Sequence, residues 1–242
     1  MIYGYIHKVW GRSKLIKKLE ETVMKQMKMI KIMTVLAFMA VLVCVSSFTV
    51  EVNSKKEKAL KAYDKMLSKS SFKVKTCAMS EGEIVIKEYQ TAKCSFAVVD
   101  IDKDSVPELI VEDVEDADHA SGYGAMFIYK NGKVKQSTAL NLNGTFKYYK
   151  KEGVIVDNYT NDGYSYNSYK KLSNGKVTQF IRTEKNIGNL TGSKKTKYYD
   201  VDGNKISKNT FNKTLEKYVK SLKPTEVEFL DNTAATRAKY LK

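Results

Sequence analysis

Apolar residues recur at helical spacing near the two ends of the chain and at strand spacing between them. Over residues 55–68, Ala59, Leu60, Ala62, Tyr63, Met66 and Leu67 fall on one side of a helix. From residue 73 the period becomes two. Segments 73–78 and 83–88 alternate, 95–100 and 108–111 are short apolar runs, and 123–129 is a further strand. Asn131-Gly132 follows it, a hairpin signal because both turn residues need positive φ, and 133–136 is the return strand. Segments 145–149 and 153–158 make another pair. Segments 164–171 and 176–183 flank a second Asn-Gly turn at Asn174-Gly175, and 195–199 precedes Asp202-Gly203. Ser207 is the expected N-cap of a helix over 208–222, with Phe211, Leu215, Tyr218 and Val219 on its apolar side and Pro224 just beyond. A short helix over 233–241 closes the chain. Strands about ten residues apart with turn signals between them predict an antiparallel meander and not βαβ units. The fold class is therefore α+β, mainly β, with residues 51–70 a helix or linker and residues 71–242 the mainly-β domain.

The N-terminal part has a different pattern. Residues 30–45 are apolar except for Lys31, follow a lysine-rich stretch, and lead into Ser46 and Ser47. Positive charge, an apolar run and then small polar residues make up the export-signal pattern, in which the lysines stay on the cytoplasmic side. The segment 30–50 is read either as a signal cleaved near Val45-Ser46-Ser47 or, at about 20 residues, as a retained transmembrane anchor. Lipidation at Cys44 is a third option, opposed by the bulk of Val43 immediately before it. Residues 1–29 are either a basic cytoplasmic region, amphipathic through Ile6, Trp10, Leu15, Ile16, Leu19 and Val23, or a mis-assigned start with Met27 or Met29 the true one. The expected location of the remainder is extracytoplasmic, membrane-anchored or secreted.

Charge narrows the set of partners. The net charge is +15, and it is uneven: residues 1–45 carry +6, residues 100–118 carry −8 and residues 119–242 carry +13. A basic body suits an anionic cell-wall polymer or an acidic face of another envelope protein. Export argues against nucleic acid. Two prolines and thirteen glycines do not describe a disordered chain. Of the three cysteines, Cys77 and Cys94 would share the oxidising side, where a disulfide between them is feasible; two free thiols are the alternative.

One stretch carries chemistry. Residues 97–111 read AVVDIDKDSVPELIV. Asp100, Asp102 and Asp104 occupy positions 1, 3 and 5 of a loop, with the Val106 carbonyl at 7 and Glu108 at 9. Hard cations such as Ca²⁺ take six to eight oxygens, and alternate carboxylates converge on one point when the chain curls around an ion. Apolar strands flank this loop, whereas helices flank an EF-hand, and Val111 stands where an EF-hand has its last Glu. The second reading is a tight turn whose Asp side chains cap their own backbone.

With these residues in view, the stretch resembles the calcium loops of FG-GAP/VCBS-type repeats. It is also similar to loops in secreted and lipoprotein-like proteins of Gram-positive, clostridia-like bacteria. The shared layout is Phe96–Asp104, then Glu108-Leu109, then a hairpin over 128–133; Tyr198–Ser207 matches loosely. The likeness implies export, a β fold and weak calcium binding through Asp100, Asp102, Asp104, Val106 and Glu108, and it implies no activity. The pattern's glycine at loop position 6 is replaced here by Ser105, which weakens the expected site.

Other candidates are less specific. Asp200, Asp202 and Asn204 have Gly203 too early for a cation loop and read as a turn. The acidic residues 112–118 read as a solvated loop. His7 and His119 are the only histidines, and no nucleophile elbow or phosphate loop is present in the sequence. Tyr164, Tyr166 and Lys170 share one face of their strand and are a possible surface for sugars or wall polymers; cross-strand packing is the alternative. The expected function is a non-enzymatic, exported binding or interaction domain, with calcium in the 100–108 loop as its expected stabiliser. The alternatives are a small secreted hydrolase, or a membrane-anchored protein with a cytoplasmic basic helix.

Overall fold

A computed structural model describes residues 24–27, 29–30, 33–34, 53–77, 84–113, 122–142, 145–150, 152–161, 163–188, 195–221 and 223–242. The expected export segment 30–50 lies outside these apart from Ile30, Met33 and Thr34, and the acidic residues 114–118 lie outside as well. Among the described residues no helix is long and apolar enough to cross a membrane. The chain divides into two compact units, Met1–Glu51 and Val52–Lys242. Residues described in the first are helical.

The second unit is α+β and mainly β. It begins with helix α1 (residues 53–67), the hairpin β1 (Ser71–Cys77) and β2 (Ile84–Gln90), and a 3₁₀ turn at Thr91–Lys93. Strands β3 (Cys94–Val99), β4 (Glu108–Asp113), β5 (Gly122–Lys130) and β6 (Lys133–Leu142) follow. Then come β7 (Phe146–Tyr149), β8 (Val154–Asn161), β9 (Tyr164–Ser173), β10 (Lys176–Asn186), β11 (Lys197–Asp200) and β12 (Lys205–Ile206). Helix α2 (Lys208–Glu216), strands β13 (Thr225–Val227) and β14 (Leu230–Asp231), and helix α3 (Ala234–Tyr240) complete the unit. Among the described residues all strand pairings are antiparallel, in a two-stranded sheet, a five-stranded sheet ordered β14-β3-β4-β5-β6 and a seven-stranded sheet ordered β12-β11-β10-β9-β8-β7-β13.

Period-2 alternation explains the layering. Along β3, β4 and β5, Phe96, Leu109, Val111 and Phe127 enter one apolar cluster with Ala59, Tyr63 and Leu67 of α1. Their neighbours Ala97, Ile110 and Met126 enter a second cluster with Phe146, Tyr148, Ile155 and Leu172 of the larger sheet. The opposite face of that sheet, through Val154, Val156 and Ile181, is covered by Phe211 and Leu215 of α2. Each large side chain buried this fully contributes about 1.5–3 kcal/mol. The order of layers is α1 with its hairpin, small sheet, large sheet, α2.

Local signals place the turns. Asn131 and Gly132 have φ of 52° and 76°, and Asn174 and Gly175 have φ of 51° and 75°, as a two-residue hairpin turn requires. The Ser207 hydroxyl accepts the Thr210 N–H and the Thr233 hydroxyl accepts the Thr236 N–H, capping α2 and α3. Helix α2 stops at Glu216, short of the expected 222. Turns carry the chain on from there, with Val219 still buried, so that Thr225–Val227 can pair with β7.

Candidate metal centre

The β3–β4 loop curls through two residues in left-handed conformation, Lys103 at φ 69° and Ser105 at φ 70°. Each aspartate then accepts a nearby N–H. Lys103 donates to Asp100 Oδ1 at 3.0 Å, Asp104 to Asp102 Oδ1 at 3.4 Å, and Val106 to Asp104 Oδ1 at 2.7 Å. These bonds hold the side chains inside the curl.

The loop is anchored on three sides. The Tyr63 hydroxyl of α1 donates to the Pro107 carbonyl at 3.0 Å. The Ile101 N–H donates to Glu108 Oε2 at 2.9 Å, closing the loop's base. Gly153, at φ 67° in the β7–β8 turn, donates its N–H to the Ile101 carbonyl at 2.8 Å and so ties the loop to the large sheet.

Asp100, Asp102 and Glu108 are thereby brought together, each offering a carboxylate oxygen within 4.8 Å of the others, and such a cluster can hold a metal ion. Asp104 is outside that converging set, but it lines the same cavity of about 250 Å³ together with Asp102, Val106 and Glu108. The far wall is formed by Ile128, Tyr129 and Lys130 of β5 and by the Asn174-Gly175 turn. Lys130 Nζ donates to the Asn174 carbonyl at 2.7 Å across this wall. Sequence spacing pointed to the loop residues but not to Tyr63, Gly153 or Lys130, which come from distant segments.

The electrostatics are those of crowded, poorly solvated carboxylates. Glu108 is 4% exposed. Burial pushes its carboxyl up to about 8; the Ile101 N–H opposes the rise, and the charges of Asp102, Asp104 and Asp100 add to it. Burial also raises Asp102 and Asp104, with neighbouring carboxylates adding to the effect; backbone N–H bonds oppose it at both, and the Lys55 charge opposes it at Asp104. A cation among them would reverse these shifts, because it favours the charged form. The donors are all oxygen, which selects hard cations over zinc or copper.

The other sequence candidates make local contacts. Tyr166 stacks on Tyr159 across the strand pair, ring centroids 4.6 Å apart, and lies 6.2 Å from Tyr164. Lys197 lies over Tyr164 and pairs with Glu184 at 2.7 Å, which lowers the Glu184 carboxyl. Lys170 pairs with Asp157, whose other oxygen accepts the Asn141 N–H at 2.7 Å. Asp200 accepts the Asn204 N–H at 2.8 Å in a turn with Gly203 at φ 86°. Cys94 has a free, buried thiol that donates to the Gln90 carbonyl at 3.4 Å, while the Cys77 side chain lies outside the described residues.

Comparison with known proteins finds no matching family model, no matching curated protein and no matching solved structure.

Proposed function

We propose that the protein is an exported, non-enzymatic binding or interaction domain, anchored outside the cytoplasmic membrane or secreted, whose β3–β4 loop is closed by a weakly bound calcium ion. The observation that carries the reading is the convergence of Asp100, Asp102 and Glu108 oxygens within 4.8 Å, with Asp102 and Glu108 in the wall of a cavity that Asp104 and Val106 also line. An all-oxygen donor set around a buried carboxylate suits calcium. Affinity is expected in the extracellular range of about 10⁻⁴–10⁻³ M, where the free ion is abundant. The ion's work is structural: it supplies positive charge among the carboxylates and locks the loop against α1 and the large sheet. An anionic wall polymer or an envelope protein is the partner that the basic body suits.

Calorimetric titration of chelator-treated protein at pH 8 tests the ion, with one site per chain expected and no heat expected from Asp102→Ala. Amino-terminal sequencing of the mature product tests export: a full-length soluble cytosolic product removes the envelope role. Zymograms on cell-wall and peptide substrates test the absence of hydrolysis, and cleared zones would put an enzyme in place of the binder.

A further inference from the structure

A groove with a volume of about 650 Å³ lies elsewhere, between α1, β1 and the β5–β6 pair. Its apolar lining includes Met66, Phe72, Val74, Phe127 and Val134. Five lysines also line it: Lys65 and Lys69 from α1 and the turn after it, Lys73 and Lys75 from β1, and Lys133 from β6. No carboxylate does, and none of the five lysines forms an ion pair among the described residues.

The backbone beside this groove is an open strand edge. Among the described residues β1 pairs only with β2. At Lys75 the opposite edge is occupied by a side chain: the Lys75 N–H donates to Gln136 Oε1 at 2.8 Å and Gln136 Nε2 donates to the Lys75 carbonyl at 2.6 Å. The Gln136 carboxamide thus stands where the peptide group of a neighbouring strand would stand. The β1–β2 register is unbroken from Ser71 to Cys77. By the two-residue period, the N–H and C=O of Lys73 face the same way as those of Lys75, toward the groove. Among the described residues no strand backbone is hydrogen-bonded to that edge.

We propose that this groove captures an extended acidic peptide of a partner protein, added as a strand on the β1 edge. Its main chain bonds to Lys73, its acidic side chains lie among the five lysines, and its alternate apolar side chains rest on Phe72, Phe127 and Val134. This is strand addition, in which backbone bonds supply affinity and side-chain pockets supply specificity. Charge complementarity selects an acidic partner. The inference deepens the interaction-domain reading and rests on it, but it uses no residue of the carboxylate loop. Loss of the calcium effect with peptide binding intact removes only the ion, and the converse removes only the groove.

The test is fluorescence anisotropy on the full chain with a short fluorescein-labelled peptide of alternating Glu and Val. One-to-one saturable binding is expected, weakened about tenfold or more by Lys69→Glu combined with Lys133→Glu, at unchanged melting temperature. Lys73→Pro removes an N–H that the β1–β2 ladder does not use, so the edge strand tolerates it. It is expected to bind the peptide about tenfold more weakly than Lys73→Ala, which separates the backbone bond from the charge. A peptide N-methylated at alternate residues is expected not to bind. Equal binding by the N-methylated peptide, by a Lys-Val peptide or by the double charge reversal overturns the proposal. So does saturable binding of laurate that displaces the labelled peptide at lower concentration, which would make the groove a lipid-anion site.

Discussion

The phenol of Tyr63, in the helix that opens the β unit, reaches across 44 residues of sequence to donate to the carbonyl of Pro107, the residue before Glu108. Tyr63 is fully buried, and burial raises its hydroxyl well above the usual phenol range, so it donates at any ordinary pH. The helix and the carboxylate loop are therefore held as one piece. Tyr63→Phe keeps the ring and removes the bond. It is expected to lower stability by about 1 kcal/mol, because the Pro107 carbonyl loses its donor. Urea denaturation checks this, and an unchanged midpoint would separate α1 from the loop.

Glu108 gives the calcium-free protein a pH dependence of definite sign. Its folded carboxyl is pushed up to about 8 from an ordinary 4.5, so the folded state binds the proton more tightly than the unfolded state does. This contribution to stability is complete below pH 4.5 and is lost as pH rises through 8. Asp102 and Asp104 are shifted the same way. In chelator, stability should fall between these limits, and Glu108→Gln should flatten the fall. Denaturation midpoints from pH 4 to 9 decide it; a rise over that window in the parent, or an equal slope in the variant, would contradict the assignment.

Ser105 holds a left-handed conformation that costs a residue with a Cβ about 1–2 kcal/mol. Ser105→Gly removes that cost and adds back part of it as unfolded-chain freedom. The net expectation is a gain of up to about 1 kcal/mol together with tighter calcium binding, read by melting and by titration. Weaker calcium binding in the glycine variant would mean that the serine itself serves the ion.

Lys170 and Asp157 form an ion pair in which the aspartate side chain is 5% exposed. Removing the lysine strands a buried carboxylate. Lys170→Met is expected to cost about 3 kcal/mol, the lower end for breaking a buried pair, whereas exposed Lys176→Met stays within about 0.5 kcal/mol. Equal midpoints for the two variants would mean that Lys170 contributes no more to stability than an exposed lysine does.

The sequence was most readable where one residue type answers one backbone demand. Asn131-Gly132 and Asn174-Gly175 announced their hairpins through positive φ, and Ser207 announced its helix through its hydroxyl. β13 and β14, at three and two residues, are too short to show a period, and they exist because β7 and β3 offer edges to pair with. The apolar spacing through Val219 ran past the end of α2, since a buried residue in a turn looks the same as one in a helix. At the candidate centre, spacing brought out Asp100, Asp102, Asp104, the Val106 carbonyl and Glu108, of which Asp100, Asp102 and Glu108 converge. The turning of Asp104 toward the Val106 N–H, and the supports from Tyr63 and Gly153, depend on tertiary neighbours that no local pattern encodes.

Thermal melting of the parent chain and Asp102→Ala, each with chelator and then with about 10 mM calcium, bears most directly on the carboxylate loop. That concentration is about ten- to a hundredfold above the expected dissociation constant and should stabilise the folded state by about 1.4–2.7 kcal/mol. The parent's Tm should then rise by roughly 3–10 °C, while that of Asp102→Ala stays where it was. A parent Tm unmoved by calcium, or a rise of the same size in both proteins, would leave the three converging carboxylates as a self-capped turn with no ion to hold.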